Sequence, residues 1–177
     1  MRWMWRILWL TVGLSLSACQ ATPPMPPLPT AGKVDLERFM GDWYVIANIP
    51  TPIETDAWNG VESYRLKPDG TVATTFTYNK GGFDGPRKIV TSTGFVRDPK
   101  TNAVWGMQFV WPVKAEYVIT WLDENYSQTI IGRNKRDYVW VMSRKPTISA
   151  ADYNALTERI RILGYDISKL RRVPHRE

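Results

Sequence analysis

Three patterns of hydrophobic placement divide this 177-residue chain. Near the start, apolar residues crowd together from Ile7 to Leu16. Between Trp43 and Ser143 they come in short runs rich in Val, Ile, Thr and aromatics, cut by turn signals. Near the end, Tyr153, Leu156, Ile160 and Leu163 recur at helical spacing. The middle region predicts strands at Trp43–Ile49, Gly60–Lys67, Thr71–Tyr78, Arg87–Arg97, Ala103–Trp111, Glu116–Leu122, Ser127–Gly132 and Tyr138–Ser143. Pro68-Asp69-Gly70 and Asp98-Pro99-Lys100-Thr101-Asn102 are strong turns, and Asp123-Glu124-Asn125 and Arg133–Asp137 are polar connections of hairpin length. Eight short strands joined in sequence fit an up-and-down antiparallel barrel or a sandwich.

Alternation assigns faces. Val72, Thr74, Phe76 and Tyr78 share one side of their strand; Trp105, Met107, Phe109 and Trp111 share one side of theirs, as do Tyr138, Trp140 and Met142. Such stripes build a core, and in an eight-stranded barrel they also line an interior wide enough for one small ligand. The helical pattern predicts a helix over Ser149–Leu163. Thr147 or Ser149 can cap it, with Asp152 three residues after Ser149, Gly164 ends it, and its apolar stripe packs outside the sheet. Lys169–Val173 reads as a short extra strand. Before the first strand, residues 20–33 contain five prolines and predict an extended spacer of about 40 Å, with the domain starting near Val34.

The first apolar run follows Arg2 and Arg6 and ends in Leu16-Ser17-Ala18-Cys19. A positive start, about ten apolar residues and small residues before a cleavage point make a secretory signal, too short to span a bilayer. Leu-Ser-Ala-Cys also resembles the lipobox of bacterial lipoproteins. That resemblance implies removal of residues 1–18 and acylation of Cys19, with residues 19–33 as a linker. Gln20, where Asp would signal retention at the inner membrane, implies the periplasmic face of the outer membrane. Export leaves 21 basic against 17 acidic residues, part of the excess clustered near the C-terminus. No basic stripe with interleaved aromatics marks a nucleic-acid surface.

Candidate chemistry is sparse. Cys19 is the only cysteine, so no intrachain disulfide is available. The one histidine, His175, falls in the tail beyond the expected elements, which argues against a histidine-dependent nucleophile. No metal site and no cofactor motif is visible: Gly81-Gly82-Phe83-Asp84-Gly85 lacks the lysine of a phosphate loop and reads as a loose loop at the barrel mouth. Glu116 precedes an inward aromatic, and Glu62 can face either side.

Three blocks carry a family resemblance. Gly41-Asp42-Trp43-Tyr44 opens the first strand, Asp123-Glu124-Asn125-Tyr126-Ser127 leads into Ile130-Ile131-Gly132, and Arg144 follows the eighth strand. In this order they resemble the lipocalin signature, and with the lipobox they resemble in particular the bacterial outer-membrane lipocalins, lipoproteins similar to apolipoprotein D. The resemblance spans Val34 to Pro174, leaving residues 175–177 as a tail. It implies an all-β, eight-stranded antiparallel up-and-down barrel with one C-terminal helix outside. Gly41, Trp43 and Arg144 become structural residues of the closed end. Trp140 and Phe109, then Tyr117, Trp121, Phe76, Tyr138 and Met107, become the ligand wall. The implied ligand is a fatty acid or lysophospholipid, bound without catalysis and without a cofactor. Nucleic acid is not an expected partner, whereas a homodimer is compatible. A lipocalin-fold enzyme acting on bound lipid, or an envelope protein with a filled barrel, are the alternatives. The family places the loop Pro50–Asn59 at the barrel mouth.

Overall fold

The computed structural model describes residues 25–176. Cys19, the signal segment 1–18 and the start of the linker lie outside the described residues. A helical turn α1 (Leu36–Phe39) leads into β1 (Gly41–Ile49), followed by β2 (Ala57–Leu66), β3 (Val72–Lys80), β4 (Arg87–Val96), β5 (Val104–Val110), β6 (Val113–Leu122), β7 (Gln128–Gly132) and β8 (Val139–Ser143). Helix α2 (Ala150–Ile162), a 3₁₀ turn (Ile167–Lys169) and β9 (Arg171–Arg172) complete the chain.

From β1 to β8 each strand pairs antiparallel with its neighbour in sequence, and β1 pairs with both β2 and β8, so eight strands close into a barrel. β1 is shared along its length: Gly41–Tyr44 pair with β2, while Ala47 and Asn48 pair with β9. The ninth strand thus occupies the edge that β2 leaves. Every expected strand is present, as are the helix and a short extra strand. The α1 and 3₁₀ turns are too short to leave a periodic signal.

Closure creates two apolar layers. Inside the barrel lie Phe39, Trp43, Val45, Val72, Trp105 and Ile119, all essentially inaccessible. Outside, Ile46, Val118, Ile130 and Val141 meet Leu156 and Ile160 of α2. Of the two cap candidates Ser149 takes the position, its hydroxyl accepting from the Asp152 backbone N–H at 3.0 Å. Gly164 follows the last turn at φ +88°, where a side chain would be strained.

Three expectations about peripheral segments change. The proline-rich stretch is not a free spacer over its described part. Leu28 is buried in the outer layer, its N–H donates to Asn134 Oδ1 at 2.6 Å, and Ala31 N–H donates to the Ile119 carbonyl at 2.9 Å. The apolar Leu28 and the backbone donors between prolines find partners on the barrel wall. His175 is not beyond the folded elements: its Nε2 lies 2.9 Å from the Val45 carbonyl, and its ring meets Tyr44 edge-on at 5.5 Å. The glycine-rich loop is pinned, with Phe83 against Trp58 at 4.7 Å and Asn79 Nδ2 donating to the carbonyls of Phe83 and Gly85.

Candidate functional site

The closed end is built around Trp43. Its ring is fully buried, and its Nε1–H donates to the Phe39 carbonyl at 2.9 Å. The Arg144 guanidinium lies 3.8 Å from the ring centroid. Arg144 Nη2 donates to the carbonyls of Arg38, Phe39 and Met40, and Nη1 to that of Asp42. These carbonyls cluster at and beyond the end of α1, where helical partners run out. Gly41 sits at φ +91°, and a Cβ there would stand 3.4 Å from Arg144 Nη1. Gly41, Trp43 and Arg144 therefore meet at one place and seal the floor.

Above that floor the barrel encloses a cavity of about 320 Å³. Its wall includes Phe76 from β3, Met107 and Phe109 from β5, Tyr117 from β6, and Tyr138 and Trp140 at the start of β8. Six of the seven expected wall residues thus face one space. Phe109 marks the mouth, being 55% exposed. Tyr117 lies deep, its hydroxyl sharing a 2.5 Å hydrogen bond with that of Tyr64. Burial pushes both phenols well above their ordinary range, so both stay neutral.

Trp121 is the exception. Strict alternation from Tyr117 and Ile119 points it inward, but the β6–β7 register shifts between Ile119 and Trp121. An extra residue in one strand turns the following side chains to the other face. Trp121 therefore joins the outer layer, with Arg159 of α2 stacked 4.8 Å from its ring. Trp111 also departs from the inward stripe on which it was grouped with Phe109. It is 82% exposed at the β5–β6 turn, which extends past the barrel rim.

The cavity also holds carboxyls. Glu54, from the loop over the mouth, accepts through Oε2 from Trp140 Nε1–H at 2.9 Å and from Asn48 Nδ2–H at 3.1 Å. Burial raises its pKa nonetheless. Glu116 is held at the rim by the N–H and side-chain amide of Asn134. Glu62 lines the cavity deeper, and no donor among the described residues reaches its carboxyl. Desolvation, with repulsion from Glu54, pushes it up to about 8. Glu62 is thus mostly protonated at neutral pH. The strand ladder could have revealed its direction: Glu62 stands opposite Trp43 on β1 and Phe76 on β3, and residues directly opposite share a face. Glu54 gave no periodic signal because it lies in a loop.

Arg133 is the one base on the cavity wall among the described residues. It sits at the mouth, 3.4 Å from Asp137 and over the Tyr138 ring at 5.3 Å. No group of acidic, histidine or cysteine side chains among the described residues could hold a metal ion. Polarity is therefore graded, with a cation at the entrance and apolar walls and a neutral acid within.

A family model for a lipocalin-like domain matches residues 34–175. Temperature-induced lipocalin-1 of Arabidopsis thaliana is 32% identical over 152 residues, 80% of this chain and 79% of the relative. The outer membrane lipoprotein Blc of Citrobacter freundii is 27% identical over 165 residues, 91% of this chain and 90% of the relative. Insecticyanin from the tobacco hornworm Manduca sexta superposes with a TM-score of 0.66 at 14% identity, covering 86% of each chain. The cockroach allergen Per a 4 gives 0.61 at 16% identity, covering 84% of this chain and 92% of the allergen. At such identities the structural matches establish the fold alone.

Proposed function

This chain belongs to the lipocalin-like family, and from that premise we propose that its cavity takes up one single-chain amphiphile, a fatty acid or a lysophospholipid. The observation that carries the reading is the cavity itself. At about 320 Å³ it lies at the small end of ligand sites, which run from about 300 to 1,000 Å³, and so suits one acyl chain. Its apolar walls favour the chain by about 0.8 kcal/mol per buried methylene before ordering costs. Arg133 suits a carboxylate or phosphate at the mouth, and a protonated Glu62 lets an apolar tail pass. Binding of this kind needs no cofactor and no chemical step.

The proposal includes an anchor. Cys19 carries the acyl groups, and the protein works at the periplasmic face of the outer membrane, storing or moving lipid for membrane maintenance. The lipobox supports this, as does the naming of the Citrobacter freundii relative as an outer membrane lipoprotein. Cys19→Ala should release the protein from the membrane fraction; retention as firm as that of the parent would defeat the anchor.

Titration of the mature protein with fatty acids and lysophospholipids of graded chain length tests the cavity. A saturable change in tryptophan fluorescence is expected, because Trp140 stands in the wall, and native mass spectrometry should show one lipid per chain. No saturable change at any chain length would sink the reading.

A further inference from the structure

The β5–β6 hairpin carries its hydrophobic residues outward. Val110, Trp111 and Val113 are 73%, 82% and 69% exposed, and Phe109 beside them is 55% exposed. Ile89 of β4 adds another exposed apolar side chain, at 63%. Ile89 lies on the part of β4 beyond its last pair with β5, Thr93–Gln108, toward the same end at which the β5–β6 hairpin turns. Single exposed apolar residues are ordinary, whereas a contiguous cluster around a tryptophan marks an interaction surface.

The charge on the strands flanking the tip is positive, while the other loops of that end carry Asp56, Asp84 and Asp137, the last two paired with Arg176 and Arg133. Arg87 and Lys88 on β4 and Lys114 on β6 are exposed, and no acidic residue occurs in β4 or β5 or between them and Lys114 apart from Asp98 in the far-end turn. An aromatic tip flanked by cations matches the interface of an anionic bilayer, where indole rings settle at headgroup depth. A second copy of the chain is the less suitable occupant. Two basic tips would repel, and a tip of five residues falls short of the roughly 800 Å² per partner of a standard interface.

The chain's direction agrees. Met25–Leu28 leave the barrel at the same open end, held by Pro26 O accepting from Arg136 Nη2 at 2.8 Å and by the Leu28–Asn134 bond. Five residues separate Met25 from Cys19, a reach of about 20 Å when fully extended. The anchor and the hairpin therefore address the same side of the molecule.

We propose that the tip Phe109–Val113 is a membrane-docking finger that seats the barrel mouth on an anionic lipid surface. Phe109 belongs to both tip and cavity wall, so the surface meets the entrance directly. Docking stands on the hairpin alone; only lipid passage from bilayer to cavity rests on the ligand reading above.

All nine strands and both apolar layers lie within residues 25–176, so a chain of residues 20–177 keeps the fold without any acyl group. That chain should float with vesicles of phosphatidylethanolamine and phosphatidylglycerol, and less with phosphatidylcholine alone. Val110→Ser with Trp111→Ser should weaken partitioning at least about tenfold, the loss expected for removing one well-buried aromatic from the bilayer. Lys88→Gln with Lys114→Gln should weaken it selectively on anionic vesicles. Brominated acyl chains should quench the parent's fluorescence, and Trp111→Phe should remove the vesicle-dependent part of that quenching, leaving only what a chain in the cavity does to Trp140. Equal flotation of parent and double-serine variant, each with a native circular dichroism spectrum, overturns the proposal. So does a parent dimer in sedimentation that the serine variant dissociates, which would make a second copy the occupant. Ligand titration without vesicles should be the same for parent and serine variant, so failure of the cavity reading shows separately from failure of docking.

Discussion

Glu62→Gln should stabilise the barrel relative to the parent increasingly from about pH 4.5 to about pH 8, with the gain level above that and small below about pH 4.5. In the parent, burial and repulsion from Glu54 raise the Glu62 carboxyl from 4.5 to about 8. The folded state then holds this proton through a pH range in which the unfolded chain has released it. Its contribution to stability is fully present below about 4.5 and is lost as pH rises through about 8. The difference of about 3.5 units, at about 1.4 kcal/mol each, sets a ceiling of about 5 kcal/mol. Water entering through the mouth lowers that figure. Against a typical total of about 5–15 kcal/mol, even half of it is easily measured. Urea unfolding of parent and variant at intervals from about pH 4 to about pH 9 gives the test. The curves should converge in acid and diverge by several kcal/mol in base. His175, whose pKa burial lowers, costs stability as pH falls below its ordinary 6.5, but it does so in both proteins and cancels from the difference. Parallel stability curves would refute the burial of an unpartnered carboxyl. Acyl-ligand affinity should also fall through about pH 8 in the parent and stay level in the variant.

Other substitutions separate wall from scaffold. Trp121→Ala should cost about 2 kcal/mol in urea unfolding and leave ligand affinity unchanged, while Trp140→Ala should weaken binding in a protein that stays folded. Arg144→Ala removes a cation–π contact and several carbonyl partners, and should cost about 3 kcal/mol with binding per folded molecule intact. Tyr64→Phe strands the Tyr117 hydroxyl and should cost about 1–3 kcal/mol by thermal unfolding, with Tyr64→Phe plus Tyr117→Phe recovering part of it. Ser149→Ala should cost about 1 kcal/mol by the same measurement.

The legible parts of the fold are those with a repeat. Val72, Thr74, Phe76 and Tyr78 alternate without interruption, and all four are buried inside the barrel. Ser149 and Gly164 bracket α2 because capping and positive-φ positions accept few residue types. Trp121 shows where alternation fails, since one register shift reverses every side chain beyond it and leaves no compositional mark. Trp111 shows another failure: a period-2 stripe says nothing about where the barrel rim lies, so the same pattern runs from a buried Trp105 to an open tip. The proline segment misleads for a third reason. Its composition reports stiffness, but Leu28 and the N–H groups of Leu28 and Ala31 decide whether stiff chain lies free or against a wall.

The distribution of charge in the cavity bears on how a lipid would enter. A fatty acid driven head-first would leave Arg133 behind and bury its carboxylate with no cation beyond the mouth among the described residues. The same molecule entering tail-first keeps its head at Arg133 and sets its methylenes against Phe76, Met107 and a neutral Glu62. Electrostatics therefore selects tail-in, head-out insertion. That orientation also fits a mouth facing a bilayer, since a lipid leaving a leaflet for the barrel must turn its tail toward the opening while its head stays at the interface. Arg133→Gln should consequently weaken binding of a fatty acid several-fold and leave the affinity for the corresponding long-chain alcohol nearly unchanged. Equal losses for acid and alcohol would place the head elsewhere and remove the argument for orientation.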